Sequence, residues 1–528
     1  MMYPDIPLYY HTLKYLKLRQ VAYRLYYLIR NKLGAVNYTV QKMSDQKEQQ
    51  IVPLLCPGAP ILPSCYKEGV FTFLNLSYRF DDRIDWNFSG YGKLWTYNLT
   101  YFDYLQQESM TKSKGMALIY DFIKQSEDIR DGMMPFPISL RAVNWIRFLS
   151  RYQIDDPVVN RSLYSQYQKL MENLEYHIMG NHLLENGFSL LFGAYFFRDE
   201  KLYNKAKEIL EAELDEQILS DGAHFELTPM YHLIMLQRVL DSINLISNNL
   251  WKTDTLLDIL REKASKMTGW IVAMQFRNGQ LPRVNDTAEG IALAPERLLS
   301  YAKSMGISVA KVALGESGYR KRTNDRYECL IDVGNIGPDY IPGHAHSDTF
   351  SFEFYVDGKP VIVDTGISTY ENNAKRHYER STAAHNTVEI NGEDQSRVWG
   401  AFRVAQRAKI VSLTEDGNVL SATHDGYSDQ GILHTRRWVF DSDSIKIVDS
   451  ITGGELSSAV SYLHFYPGTD VRIDGDSVVT PSLRIRYQGA EVLELGEYEY
   501  AEAFNQCRKA PVISANIGRE STMEVEII

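Results

Sequence analysis

The sequence predicts a multidomain α+β chain in which a helical domain precedes an antiparallel β-sandwich. Three observations lead there. At 528 residues the chain is too long for a single hydrophobic core. From about residue 105 to 315, apolar residues recur at i, i+3 and i+4. Near residue 322 that period gives way to strict alternation of apolar and polar residues.

In the helical part, "SLYSQYQKLMENLEYHIM", "GFSLLFGAYFF", "KLYNKAKEILEAELDEQIL" and "YHLIMLQRVLDSINLI" each carry an apolar stripe. Short breaks with Gly, Asp or Pro separate them, as expected for antiparallel helical hairpins stacked in a solenoid or a ring. In the second part, "YECLIDVG", "FSFEFYVDGKPVIVD", "NTVEINGEDQ", "RRWVFDSDSIKIVDSI" and "SVVTPSLRIRYQG" read as strands. Asp357-Gly358 and Asn391-Gly392 are two-residue hairpin turns. Strands without intervening helices form sandwiches. The expected domains are an N-terminal segment 1–50, a helical domain 51–320 holding the cleft, and a β-sandwich 321–528.

Composition narrows the function. The net charge is −11 and no block of Lys or Arg marks a nucleic-acid surface, although a locally basic cleft in an acidic protein still binds a polyanion. The 35 tyrosines suit both large cores and carbohydrate clefts. Cys56, Cys65, Cys329 and Cys507 lack the spacing of a zinc site or a disulfide framework. No apolar run is long enough to span a membrane. The stretch "MMYPDIPLYYHTLKYLKLRQVAYRLYYLIRNKL" lacks the pattern of a signal peptide, so a cytoplasmic location is the default expectation. It reads as a basic amphipathic helix that packs on its own domain or touches a membrane surface or partner.

Chemistry-bearing residues cluster at element boundaries. In "MGNHLLENG", Gly180 would end one helix and Asn181 cap the next, with His182 and Glu185 on one face of its first turn. In "SDGAHFELTPMYH", Thr228-Pro229 starts a helix and puts Tyr231 in the first turn, where the helix dipole favours a phenolate. Arg141 and Asn144, on the helix of "MMPFPISLRAVNWIRF", offer a carboxylate fork and an amide. "LPRVNDTAEG" adds Arg283, Asn285 and Asp286. In "GHAHSDTFSFEFYVDGKPVIVDTG", His344 and His346 share a side if extended. His346, Asp364 and the later His385 make a two-His, one-carboxylate set suited to zinc.

Together, "GNHLLENG", "DGAHFELTPMYH", "LPRVNDTAEG" and "GHAHSDTFSFEFYVDGKPVIVDTG…AAHNTVEING" resemble the heparinase II/III-like polysaccharide lyases, which include alginate lyases. The resemblance implies an α/α toroid, an incomplete helical ring, before the sandwich. It implies β-elimination beside a uronic acid of an anionic polysaccharide, which needs a carboxylate neutraliser, a base and an acid. Asn181 and His182 would neutralise the carboxylate, with His182 also a candidate base; Tyr231 would serve as base and acid or acid alone, and His344 would assist. His346, Asp364 and His385 would hold one structural zinc. Arg141, Asn144, Glu185 and Arg283 are the expected substrate contacts. The N-terminal helix and "WNFSGYGKLWTYNLTYFDYL" look more like members associated with bacterial surface-polysaccharide production. Two rival readings are a hydrolase using Asp221 and Glu226, and a non-catalytic polysaccharide-binding or assembly factor.

Overall fold

A computed structural model describes residues 6–33 and 50–528. The chain opens with α1 (Ile6–Leu13) and α2 (Leu18–Lys32), followed by a three-stranded sheet of β1 (Tyr66–Lys67), β2 (Val70–Phe73) and β3 (Leu76–Arg79). The helical body is α3 (Lys93–Tyr101), α4 (Lys112–Gln125), α5 (Pro135–Arg151), α6 (Pro157–Glu172), α7 (Gly180–Phe197), α8 (Glu200–Gln217), α9 (Pro229–Asn248), α10 (Leu256–Met274) and α11 (Pro295–Ser304). α3, α5, α7 and α9 form an inner row, each packed on the next, while α4 packs on α6 and α8 on α10 outside it. This is the double-layered arrangement of helical hairpins. Helix starts follow the local chemistry: Asp156 and Asp199 accept from the first backbone N–H groups of α6 and α8, and Pro229 opens α9.

The β part begins at Tyr319. β4 (Tyr319–Thr323), β5 (Tyr327–Asp332), β6 (Phe352–Val356) and β7 (Lys359–Ile362) make a four-stranded antiparallel sheet. The larger sheet runs in the order β11 (Ile410–Asp416), β12 (Val419–Tyr427), β13 (Ile432–Phe440), β14 (Ser444–Gly453), β19 (Gln506–Ile527), β18 (Leu483–Ala503), β17 (Ser477–Val479), β16 (Arg472–Asp474). β15 (Ala459–His464) pairs with both β19 and β8 (Val388–Ile390), and a small hairpin joins β9 (Val398–Trp399) to β10 (Arg403–Val404). The two large sheets share a core in which Phe354, Ile362, Leu420, Trp438 and Leu463 are buried. Asp357-Gly358 and Asn391-Gly392 all have positive φ, as the hairpin turns require. A short helix, α12 (Ala374–Glu379), lies between β7 and β8.

Three expectations need correction. The helix expected through Met179 ends at Glu172, because Glu175 turns inward: its N–H donates to Asn186 Oδ1 at 2.8 Å and its carboxylate accepts from Asn186 and His182. Asn181 does not cap α7. Met179 is the cap residue and Gly180, at φ +58°, starts the helix, with Glu226 Oε1 2.8 Å from where a Cβ would sit. The N-terminal segment is two helices rather than one, and residues 1–5 and 34–49 of it lie outside the described residues. No described helix is long and apolar enough to cross a membrane.

Candidate active site

A cleft of about 690 Å³ lies between the helical body and the sandwich, and Asn181, His182, Tyr231 and His344 all line it. The N-terminus of α7 delivers Asn181 and His182, and the first turn of α9 delivers Tyr231. The loop before α9 is rigid: His232 Nδ1 accepts from His224 N, His232 Nε2 bonds the Met267 carbonyl, and His224 Nε2 bonds Gln217 Oε1. Burial pushes His224 down to about 4 and His232 to about 3, so both stay neutral scaffold at ordinary pH. His344 arrives from the sandwich side. Its ring stacks on Tyr231 with centroids 4.0 Å apart.

Asp286 organises that junction. It is fully buried and takes His344 Nδ1 at 2.8 Å on Oδ2 and His346 Nε2 at 2.9 Å on Oδ1. Both oxygens also accept from the buried Arg376 guanidinium. Burial works against its charge, but Arg376 and the two imidazoles hold it well below the usual carboxylate range. Asn285, at φ +53°, completes the latch: its amide donates to the Leu227 carbonyl and accepts from His346 N. Bonding to Asp286 points His344 Nδ1 away from the cleft and leaves Nε2 3.7 Å from Glu226 Oε2.

The other groups fall into distinct electrostatic states. His182 Nδ1 bonds Glu175 Oε1 at 3.0 Å, with the side chain 31 % exposed. Desolvation opposes its charge, but the Glu175 carboxylate outweighs it and raises the pKa. Tyr231 behaves opposite to the dipole expectation: burial raises its pKa, Asp286 and Glu226 add to that, and the phenol stays protonated. Among the described residues its only hydroxyl contact is a long 3.4 Å bond from Tyr370. Asn181 Nδ2 donates to Glu226 Oε2 at 2.8 Å, while its buried Oδ1 has no partner. The site therefore holds one imidazole biased towards cation, one neutral phenol and one imidazole oriented by a buried carboxylate.

The remaining expected contacts do not reach the cleft. Arg141 is fully buried, donating to Gln166 and to the Thr100 and Gly132 carbonyls. Asn144 donates to the Tyr101 carbonyl and to Asp103. Glu185 is buried against Arg238 at 2.9 Å. Arg283 donates to the Ala501 and Glu502 carbonyls and so ties the loop after α10 to β18. Each is scaffold because backbone and side-chain partners already satisfy it. Asp221 is likewise taken by Gly315 N, Ser317 N and Ser317 Oγ, which leaves Glu226 without the partner a paired-carboxylate hydrolase needs. Arg376 and Glu175 are site residues that the sequence did not single out, while Asp286 stood out only as part of a polar loop and Glu226 only as half of a hydrolase pair.

Behind Asp286 lie the three expected metal ligands. His385 Nδ1 bonds Asp364 Oδ2 at 2.7 Å, and the His346 and His385 rings are 5.3 Å apart. Each imidazole has one nitrogen on a carboxylate and the other, His346 Nδ1 or His385 Nε2, buried with no partner; Asp348 Oδ2 nearby in sequence is a third orphan. Burial lowers His346 to about 3, keeping it neutral. Carboxylate-held imidazoles with a bare inner nitrogen fit a metal's needs. Among the described residues, however, no three such side chains converge closely enough to form a finished site.

Residues 138–304 match the family model "Heparinase II/III N-terminus" and residues 308–518 match "Heparinase II/III-like, C-terminal". The chain belongs to the heparinase II/III-like family. Those two spans contain every residue of the heparinase II/III-like site just described. A heparin-sulfate lyase of Bacteroides stercoris is 24 % identical over 313 residues, 54 % of this chain and 45 % of that protein, so the chain matches under half of that relative's length. Among solved structures, a heparinase III superposes with a TM-score of 0.69 at 14 % identity, covering 93 % of this chain and 88 % of that one. A heparan sulfate lyase from Pedobacter heparinus gives 0.55 at 16 % identity, covering 85 % and 79 %. These likenesses establish the helix-then-sheet fold of the family.

Proposed function

We propose that this chain is a polysaccharide lyase that cleaves a uronic-acid-containing polysaccharide by β-elimination. The observation that carries it is the Tyr231–His344 stack at 4.0 Å, built across the domain junction beside Asn181 and His182 in one cleft. The His182 imidazolium and the second N–H of the Asn181 amide, which Glu226 leaves free, face the uronate carboxylate and offset the charge that builds as the neighbouring proton leaves. His344 Nε2, with Nδ1–H anchored on Asp286, takes that proton. The Tyr231 phenol donates its proton to the departing glycosidic oxygen, which leaves with the C–O bonding pair, while the pair left behind by the abstracted proton becomes the new C=C bond. The proton gained by His344 then passes to solvent, and the Tyr231 phenolate takes one back from solvent.

The names of the relatives make a glycosaminoglycan the first substrate to try. The same reading assigns one structural zinc to His346, His385 and Asp364. Bound there, the ion would tie those three segments together behind Asp286 and supply no chemistry to the cleft. The test is ultraviolet absorbance of the unsaturated uronate when the protein meets a panel of uronic-acid polysaccharides. A rise supports elimination. New reducing ends without absorbance would replace it with hydrolysis.

A further inference from the structure

The cleft has a wall that the two family spans do not include, formed by α1 and α2. Gln20 donates to the Ile178 and Tyr340 carbonyls, and Arg24 Nε to the His177 carbonyl, which hangs α2 beside the start of α7. Thr12 accepts from Trp399 Nε1 and Tyr9 packs edge-on against the Trp399 ring, so the segment also grips the sandwich. Trp399 belongs to the β9–β10 hairpin, which continues this wall. Its carbonyls at Gly400, Ala401 and Arg403 accept from the buried Arg376 and Arg380, a brace that fixes the hairpin's position. The hairpin presents Phe402, 6.0 Å from the His344 ring, and Arg403, whose guanidinium lies 4.7 Å over Trp399.

Arg24 and Arg403 both line the cleft, and neither has a carboxylate partner among the described residues. Their neighbour Arg407 differs, pairing with Asp339 at 3.1 Å. In a chain of net charge −11, two cleft guanidiniums left without acids form a local exception. Desolvation and then the charge of Arg403 lower the pKa of Arg24, so the two cations act on each other across the wall. An oxyanion held between them would relieve that repulsion and accept forked hydrogen bonds.

We propose that Arg24 and Arg403 form an anion-binding subsite that receives a carboxylate or sulfate on a sugar unit next to the one cleaved. This rests on the lyase reading and makes the substrate a chain with repeating charge rather than a polymer with isolated uronates. Arg24 then gives the N-terminal helices a role in substrate selection.

The test compares Arg24→Gln and Arg403→Gln, each with its Lys counterpart, in the full chain. Binding is measured by calorimetry in the Tyr231→Phe background with heparan sulfate and hyaluronan oligosaccharides, and turnover in the otherwise unaltered protein. Each Gln variant is expected to weaken binding about tenfold, raise KM rather than lower kcat, flatten the salt dependence and keep its melting temperature, with Lys restoring part of the affinity. Dependence on the pair with heparan sulfate alone names sulfate; dependence with both probes names carboxylate. Unchanged affinity and salt dependence in the Gln variants overturns the subsite while leaving the lyase reading intact. Loss of binding in a protein whose parent binds but never eliminates keeps the subsite and removes the lyase. A parent that binds neither probe overturns the subsite.

Discussion

Replacing Tyr231 by Phe separates chemistry from stability more cleanly than any other change in this cleft. The hydroxyl makes one hydrogen bond, a long one of 3.4 Å from Tyr370, so its loss costs at most about 1 kcal/mol. The ring keeps its stack on His344 and its packing beside Met230, Ala288, Ile367 and Phe504. For domains of this size that corresponds to a melting shift of roughly 2–4 °C or less. Catalysis loses its acid. General acid catalysis contributes roughly 10²- to 10⁴-fold, about 3–5 kcal/mol of barrier, and the loss falls on kcat because the phenol acts on the departing oxygen. The assay is the initial rate of ultraviolet absorbance with the polymer that the parent eliminates, beside a thermal melt. Near-parental turnover in Tyr231→Phe would refute the proton-donor role. A collapse of the melt would show that the hydroxyl holds structure that its single bond does not reveal.

Three further outcomes are expected. His182 owes its raised pKa to Glu175, so its cationic form is complete below about pH 6.5 and is lost as pH rises through the raised value; Glu175→Gln should move the alkaline limb of kcat/KM to lower pH, and an unmoved limb would separate His182 from carboxylate neutralisation. Asp286→Ala strands the buried Arg376 and frees both imidazoles, so denaturant unfolding should show a loss of roughly 3–5 kcal/mol, and a loss under about 1 kcal/mol would deny it the latch role. Purified protein should carry zinc by elemental analysis, with His346→Ala or His385→Ala releasing it and lowering the melting temperature; equal metal content in these variants would remove both from the ligand set.

Much of the architecture was legible in the sequence because it follows from local rules. The apolar period of 3.6 marks α8 and α9, alternation marks β13 and β14, and Asp357-Gly358 and Asn391-Gly392 mark the turns after β6 and β8 whatever surrounds them. The four cleft residues were legible for a different reason: each stands in a short motif at an element boundary, and it is the resemblance of those motifs to the heparinase II/III-like lyases that singles them out. Arg141 and Asn144 misled because their types suit a sugar acid, yet whether a side chain faces a cleft or a neighbouring carbonyl depends on the helices beside it. Arg376 and Glu175 carry no local signal at all. They act only because α12 and the turn after α6 bring them to Asp286 and His182.

By itself, then, the order of residues determined the helical domain, the sandwich after it and the motifs that reach the cleft, since these depend on periodicity and on residues close in the chain. Tertiary structure alone decided the protonation states. Tyr231 sits where the helix dipole would favour its anion, but burial, Asp286 from a distant loop and Glu226 from the turn before α9 outweigh the dipole and keep the phenol neutral. It also decided that the two N-terminal helices become a wall of the cleft rather than a free surface segment, because their polar side chains find carbonyls beside α7 and, on the sandwich side, the Tyr340 carbonyl and the Trp399 indole N–H. Charge and proximity add up in space, and a one-dimensional sequence does not hold those distances.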